Sequence, residues 1–308
     1  MKKGIIFLMG AIFAFTVTSC DNSFNKDIDT VSDVYTIAED EISALKSEET
    51  TDEEVSTARF AAHFPGLIGP RMIIPRHFFG PYFPNCAEVT VEGETFPKTI
   101  TIVYGEDCIS RRGNTKTGTM IITISDTITN PGASYTLEYV DMVIGGKNVE
   151  KSANISNEGM NDAGNWVMSS ESVTSITRND TLVITRAFSQ SKEWLEGFDT
   201  PYFSDDIFMK TGGGTISVNG VVKFEREIIE HLLIDRACRF ILSGVIEITR
   251  NDESMFIDFG EGECDNIAMV TKDGESEEIE LISGRFRREF KRHDHNMNLQ
   301  LTLPRKLF

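Results

Sequence analysis

Three rhythms of apolar and polar residues follow one another along the chain. Residues 4–17 form an almost unbroken apolar run that includes Ile5, Ile6, Phe7, Leu8, Met9, Ile12, Phe13 and Phe15. From Val34 to Leu45 the apolar positions Val34, Ile37, Ala38, Ile42 and Leu45 recur at helical spacing, with Asp33 placed to cap the first turn. A further acidic turn or two of helix is expected between Asp52 and Ala61. Between Phe64 and Pro84 the rhythm breaks: Pro65, Pro70, Pro75, Pro81 and Gly66, Gly69, Gly80 alternate with Phe78, Phe79, Tyr82 and Phe83. So many aromatics are out of place in a disordered linker, and an extended arm packed across the body is expected instead.

From Cys86 onward the period shortens to two. Val89 and Val91, then Ile100, Ile102 and Tyr104, then Ile122 and Ile124, then Leu137 and Tyr139 alternate with polar residues, as half-buried strands do. Turn signals separate them: Asn130-Pro131-Gly132, Gly145-Gly146, Asp162 to Asn165, Asn179-Asp180, Asn219-Gly220, Asn251-Asp252 and Asp273-Gly274. No helical pattern lies between the strands to carry a parallel crossover, so each strand is expected to turn back beside its predecessor. The expected fold is all-β, a large antiparallel meander or sandwich of long strands preceded by a short helical segment. A weak internal repeat supports duplicated hairpins: Ser172 to Ile184 echoes Gly244 to Ile257 through a shared Ile-Thr-Arg-Asn-Asp, and Cys86 to Cys108 is a looser third copy. The copies are unevenly spaced, which excludes a strict solenoid.

The opening apolar run fits a signal peptide. Lys2 and Lys3 give it a cationic start, and fourteen helical residues span roughly 21 Å, short of the ~30 Å bilayer core. It ends on Val17-Thr18-Ser19-Cys20, which resembles the bacterial lipobox cut before the cysteine. That resemblance implies a diacylglyceryl thioether on Cys20 and an acyl chain on its amine; two or three chains at about 0.8 kcal/mol per buried CH₂ hold a protein at a membrane for good. The expected division is 1–19 signal peptide, 20–33 lipidated tether, 34–85 helical and Pro/Gly-rich arm, and 86–308 antiparallel β domain. The expected location is the cell envelope, anchored in the outer membrane by this lipid.

Charge narrows the range of partners. The formal net charge is −18 and becomes −20 when the two lysines of residues 1–19 are removed (−18 − 2). So negative a chain repels nucleic acid and anionic headgroups. The membrane contact expected is therefore through the lipid, and a glycan or another envelope protein is the expected soluble partner. The acid is concentrated: Asp21 to Glu54 carries twelve carboxylates against Lys26 and Lys46, whereas Arg285 to Lys306 carries seven bases against Glu289 and Asp294. The acidic stretch is expected to be a solvated tether, with folding back onto the basic C-terminal strand as the alternative.

Four cysteines remain after Cys20. Cys86 and Cys108 bracket one expected hairpin, and Cys238 and Cys264 bracket another around Asn251-Asp252. Of the three connectivities that four cysteines allow, pairing within each hairpin places the partners nearest bridging distance. Loops of some twenty residues so closed stabilise by roughly 3 kcal/mol each.

Together these stretches resemble a family of uncharacterised envelope lipoproteins of the Bacteroidetes type. The resemblance rests on the lipobox, Cys86 to Val91 (CAEVTV), Pro97 to Cys108 (PKTITIVYGEDC), Gly113 to Thr123 (GNTKTGTMIIT), Trp194 to Asp206 (WLEGFDTPYFSDD), Cys238 to Arg250 (CRFILSGVIEITR) and Phe256 to Asn266 (FIDFGEGECDN). It implies an exported, lipid-anchored, β-rich protein and brings no catalytic residues and no cofactor.

The most site-like cluster is residues 193–206, where Trp194, Glu196, Asp199, Tyr202, Asp205 and Asp206 stand among glycine and proline. Paired carboxylates beside an aromatic platform suit glycan binding or glycosidic cleavage; an ordered connection whose aromatics plug the edge of the core is the structural alternative. His293 and His295 share a strand face but lack the further ligands a zinc site needs. Asp258, Glu261, Glu263 and Asp265 crowd one hairpin end without the calcium-loop spacing. Lys210-Thr211-Gly212-Gly213-Gly214 lacks the Lys-Ser/Thr of a phosphate loop and is expected to bend a strand. The function expected is a non-catalytic structural or ligand-binding module.

Overall fold

A computed structural model describes residues 37, 38, 40–45, 47, 48, 52, 86–106, 108, 109, 114–178, 181–198, 205–238 and 240–281. The lipobox at Cys20, the Pro/Gly-rich stretch, Asp199, Tyr202, His293 and His295 lie outside these residues.

The alternating segments form thirteen strands: β1 (Ala87–Glu92), β2 (Lys98–Tyr104), β3 (Lys116–Ile124), β4 (Ser134–Ile144), β5 (Lys147–Met160), β6 (Trp166–Arg178), β7 (Leu182–Glu196), β8 (Ile207–Val218), β9 (Val221–Asp235), β10 (Ser243–Arg250), β11 (Glu253–Glu261), β12 (Ile267–Lys272) and β13 (Glu275–Glu280). They make a single sheet whose spatial order is the sequence order, a pure antiparallel meander. Of the two arrangements the sequence allows, meander or sandwich, the meander is the one adopted. Four of its connections are two-residue turns, Gly145-Gly146, Asn219-Gly220, Asn251-Asp252 and Asp273-Gly274, with φ positive at both central residues. That conformation matches the right-handed twist of the flanking strands, which is why the turns are built from Gly, Asn and Asp.

Register places the buried apolar residues of neighbouring strands on one face, here the inner face, while Val103, Val173, Ile229 and Met269 stand exposed on the other. In β2 and β3, Ile100 opposes Ile122 and Ile102 opposes Met120. Farther along, Ile228 opposes Ile246, and Ile246 opposes Ile257. The buried residues fall into a larger cluster under β1–β6, a second under β9–β13 and a small bridge of Ile184, Phe188 and Ile216 between them. The second cluster is covered by the N-terminal helix, described at residues 40–45 and at Ile37, Ala38, Ser47 and Glu48. Ala38, Ile42 and Leu45 are buried against it, three of the positions that helical spacing singled out.

Both expected disulfides are present: Cys86 to Cys108 with Cα atoms 5.2 Å apart, and Cys238 to Cys264 at 5.8 Å. Each staples the open end of a hairpin, β1–β2 or β10–β11. Lys210 to Gly214 is an irregular stretch of β8, where the register with β9 shifts between Lys210 and Gly212. Gly212 has φ +105°, and a Cβ on Gly214 would run into the backbone of Ala187 and Phe188 on β7. Only glycine permits that approach.

Candidate functional site

Between the two large clusters the inner face is polar. Register sets four rows of side chains across β7, β8 and β9: Lys192–Lys210–Leu232, Gln190–Gly212–Ile228, Phe188–Gly214–Arg226 and Arg186–Ile216–Phe224. Arg236, just beyond β9, stands at the Lys192 end, 3.7 Å from the Asp52 carboxylate to which Lys192 also donates. Four cations thus occupy strand positions whose period assigns them to the interior, and Arg236 joins them from just beyond β9. Burying them unpaired would be prohibitive, so each requires an anion.

The N-terminal helix supplies the anions. Glu41, Glu48 and Asp52 are seven and four residues apart, which puts them on one helical face beside Leu45. Glu41, 2 % exposed, accepts a 2.5 Å hydrogen bond from Arg186 Nη1 at Oε2 and lies 2.8 Å from Arg226 Nε through Oε1. Glu48 Oε2 accepts from Lys210 Nζ at 2.7 Å, and Asp52 Oδ2 accepts from Lys192 Nζ. At Glu41, Glu48 and Asp52 the acidic stretch is therefore not a solvated tether but the counter-charge of β7–β9; residues 21–36 and the basic C-terminal stretch lie outside the described residues. Buried cations need counter-charges, and this helical segment presents three carboxylates from 140 to 162 residues away in the chain.

The pairing fixes the protonation states. Burial alone would raise the Glu48 carboxyl, but the Lys210 ammonium and the Arg226 guanidinium overcome it and hold the group at about 2. Burial opposes Lys192 and Arg236 in the same way at Asp52, again with a result of about 2. Lys192 is pushed down, by burial first and then by the neighbouring Lys210 and Arg236, with Asp52 opposing. Arg186 is raised, because Glu41 outweighs the effect of burial. Carboxylates held ionised so far below neutrality cannot act as general acids there. This is an arrangement for holding charge.

Beside it lies a cavity of about 50 Å³, lined by Leu45, Phe208, Ile234, Phe240, Ile241 and Phe259 on its apolar side and by Glu48, Asp52, Lys192, Lys210 and Arg236 on its polar side. Phe208 joins the two sides: its ring centroid is 5.3 Å from Lys192 Nζ and 5.0 Å from Arg236 Cζ. In the adjacent rows, two buried groups carry donors without an acceptor among the described residues, Gln190 at Nε2 and Arg226 at Nη1 and Nη2.

The 193–206 segment is divided between core and surface. The Trp194 ring is half-buried, 5.5 Å from Phe198 edge-on and 5.2 Å from Phe208, and Phe198 stacks on Trp166 at 4.9 Å. Its aromatics engage one another. Glu196 and Asp205 are exposed, whereas Asp206 is buried and its carbonyl accepts from the Arg236 amide at 3.0 Å. Glu193 is held low by hydrogen bonds from Asn165 and Asn161, which tie it to the β5–β6 turn. Asp258 and Asp265 accept from the amides of Gly260 and Ile267, closing their own turns. Among the described residues no three His, Cys, Asp or Glu side chains come together as metal ligands.

No sequence motif contains the cationic face. Its signal is periodicity: Arg186, Gln190 and Lys192 alternate in step with Ile184, Phe188 and Trp194, which marks them as inward-facing in a strand of otherwise apolar inner positions.

No protein-family model, no curated protein and no solved structure matches the chain.

Proposed function

We propose that the protein is a lipid-anchored component of the cell envelope, held in the outer membrane through Cys20, whose β sheet serves as a non-catalytic ligand-binding or structural module. The lipobox supports the anchor, and the resemblance of the cysteine-bracketed hairpins to envelope lipoproteins supports the setting. The single observation that carries the reading is the seating of the N-terminal helix. The helix begins to be described at Ile37, seventeen residues after Cys20, and covalent geometry limits that link to about 60 Å. Glu41, Glu48 and Asp52 then fasten the same segment into the middle of the sheet. An anchor so attached keeps the body within that distance of the bilayer.

Mass spectrometry of the N-terminal peptide from the native host tests this. The expected result is a mature chain beginning at an acylated Cys20, membrane-bound as wild type and released by Cys20→Ser. An unmodified residue 20 with the protein free in the medium would overturn it. Protease shaving of intact cells then assigns the face of the membrane.

A further inference from the structure

We propose that β13 is not the last strand of the sheet: the basic segment 285–292, which lies outside the described residues, docks on its outer edge as an antiparallel fourteenth strand. The pairing requires neither the lipid anchor nor a ligand.

Charge selects the occupant. Among the described strands β13 pairs with β12 alone, so its other edge offers backbone N–H and C=O groups to a further strand. Four of its six residues, Glu275, Glu277, Glu278 and Glu280, are exposed glutamates. The neighbouring strand does little to offset them. Glu280, Glu278 and Glu277 stand opposite Ile267, Met269 and Val270, and Lys272, opposite Glu275, reaches Glu253 at 3.2 Å. Like charges set so closely repel one another, and cations placed across from them relieve the repulsion. Residues 285–292 supply those cations: Arg285, Arg287, Arg288, Lys291 and Arg292 against the single acid Glu289.

Covalent geometry selects the place. Just past β13, Leu281 still continues the ladder, its amide donating to the Asn266 carbonyl. Only Ile282, Ser283 and Gly284 separate Leu281 from Arg285, so Arg285 starts within about 14 Å of it. Ser-Gly is a turn dipeptide, and every described strand of this meander lies beside its neighbours in sequence. A two-residue turn at Ser283-Gly284 sets Phe286 opposite Leu281, Arg287 opposite Glu280 and Arg292 opposite Glu275. Glu278 then falls opposite Glu289, with Arg287 and Lys291 as its diagonal neighbours. Leu281 is 2 % exposed and Ile279 packs against the same core, so Phe286 extends an apolar side that already reaches this edge.

The test is hydrogen–deuterium exchange of the full chain, read by mass spectrometry with fragmentation across Glu275–Glu280. The protein is used as export leaves it, in lipid nanodiscs if acylated and free in buffer if not. The comparison variant carries Arg285→Glu, Arg287→Glu, Arg288→Glu, Lys291→Glu and Arg292→Glu. In the wild type the β13 amides that face away from β12 should exchange at least about tenfold more slowly than in this variant, at a rate independent of protein concentration. Amides of β10 and β11 report that the fold is intact; if the variant loses their protection, Arg287→Glu with Lys291→Glu takes its place. Changing Glu275, Glu277, Glu278 and Glu280 to Lys in the charge-reversed chain should restore the slow exchange. Equal exchange of β13 in wild type and variant would overturn the proposal. So would a change confined to other strands, or protection that grows with protein concentration, as pairing with a second copy produces.

Discussion

Glu41 is a carboxylate in a place where the fold tolerates no vacancy. It is 2 % exposed and is shared by Arg186 and by Arg226, whose side chain is fully buried. Glu48 and Asp52 extend the same arrangement with more solvent around them, and they set its response to acid. Both carboxyls sit at about 2 in the folded protein, below ordinary values of 4.5 and 3.8. A depressed folded pKa adds stability that is complete above the unfolded value and disappears as pH falls through the folded one. The urea midpoint should therefore be flat from neutrality to about pH 5 and decline between pH 5 and 2, more shallowly in Glu48→Gln; an unchanged slope in that variant would remove Glu48 from the explanation. Gly212 makes a purely steric prediction. With φ +105° and the Ser189 and Gln190 backbone against any Cβ, Gly212→Ala should cost at least about 2 kcal/mol in equilibrium unfolding. A cost under about 0.5 kcal/mol, the ordinary scatter of surface changes, would show that β8 can relax there.

At the level of elements, the sequence made the hairpins and the helix plain and left their mutual placement obscure. Asn219-Gly220, Asn251-Asp252 and Asp273-Gly274 announce tight turns because few residues adopt positive φ, so local chemistry alone decides them. The cysteine pairs follow from those turns. Ile42 and Leu45 declared an apolar helical stripe, but nothing in a stripe names the surface that receives it; that is a tertiary choice, made here by complementary charge. The same limit applies to 193–206, where Trp194, Glu196 and Asp206 look alike as members of a loop and separate only once strand register sends Trp194 inward and leaves Glu196 in solvent. Two measurements follow. Ile42→Ala should cost about 2–5 kcal/mol, as truncation at a well-packed core position does, whereas a helix merely resting on the surface would lose under 1 kcal/mol. Removing the Cys238–Cys264 bridge as a Ser pair, which opens a loop with a separation of 26 residues, should cost about 3 kcal/mol. Unchanged unfolding of the double variant would mean that the hairpin is held by its strands alone.

Across the whole molecule the two faces of the sheet have opposite electrical character. Lys98, Lys116, Arg186, Lys192, Lys210 and Arg226 point inward, the first two over the aromatic rings of Phe96 and Tyr104. Glu88, Glu138, Glu150, Glu171, Glu225, Glu227 and Glu247 occupy the alternate, outward positions. Among the described strands the carboxylates thus favour the outer face. Four of the six residues of β13 are glutamate, which makes that edge repel another strand of its own kind. With the inner face cationic, the acidic segment that holds Glu41, Glu48 and Asp52 becomes part of the fold. A double-mutant cycle on Glu41→Gln and Arg226→Met, read by urea unfolding, tests this most directly. The coupling between the two changes should be about 2 kcal/mol or more, the two single losses summing to more than the loss of the double variant, because each single change leaves a buried charged or polar partner unmatched. Additivity within about 0.5 kcal/mol would mean that the helix is not held by the cations of the sheet.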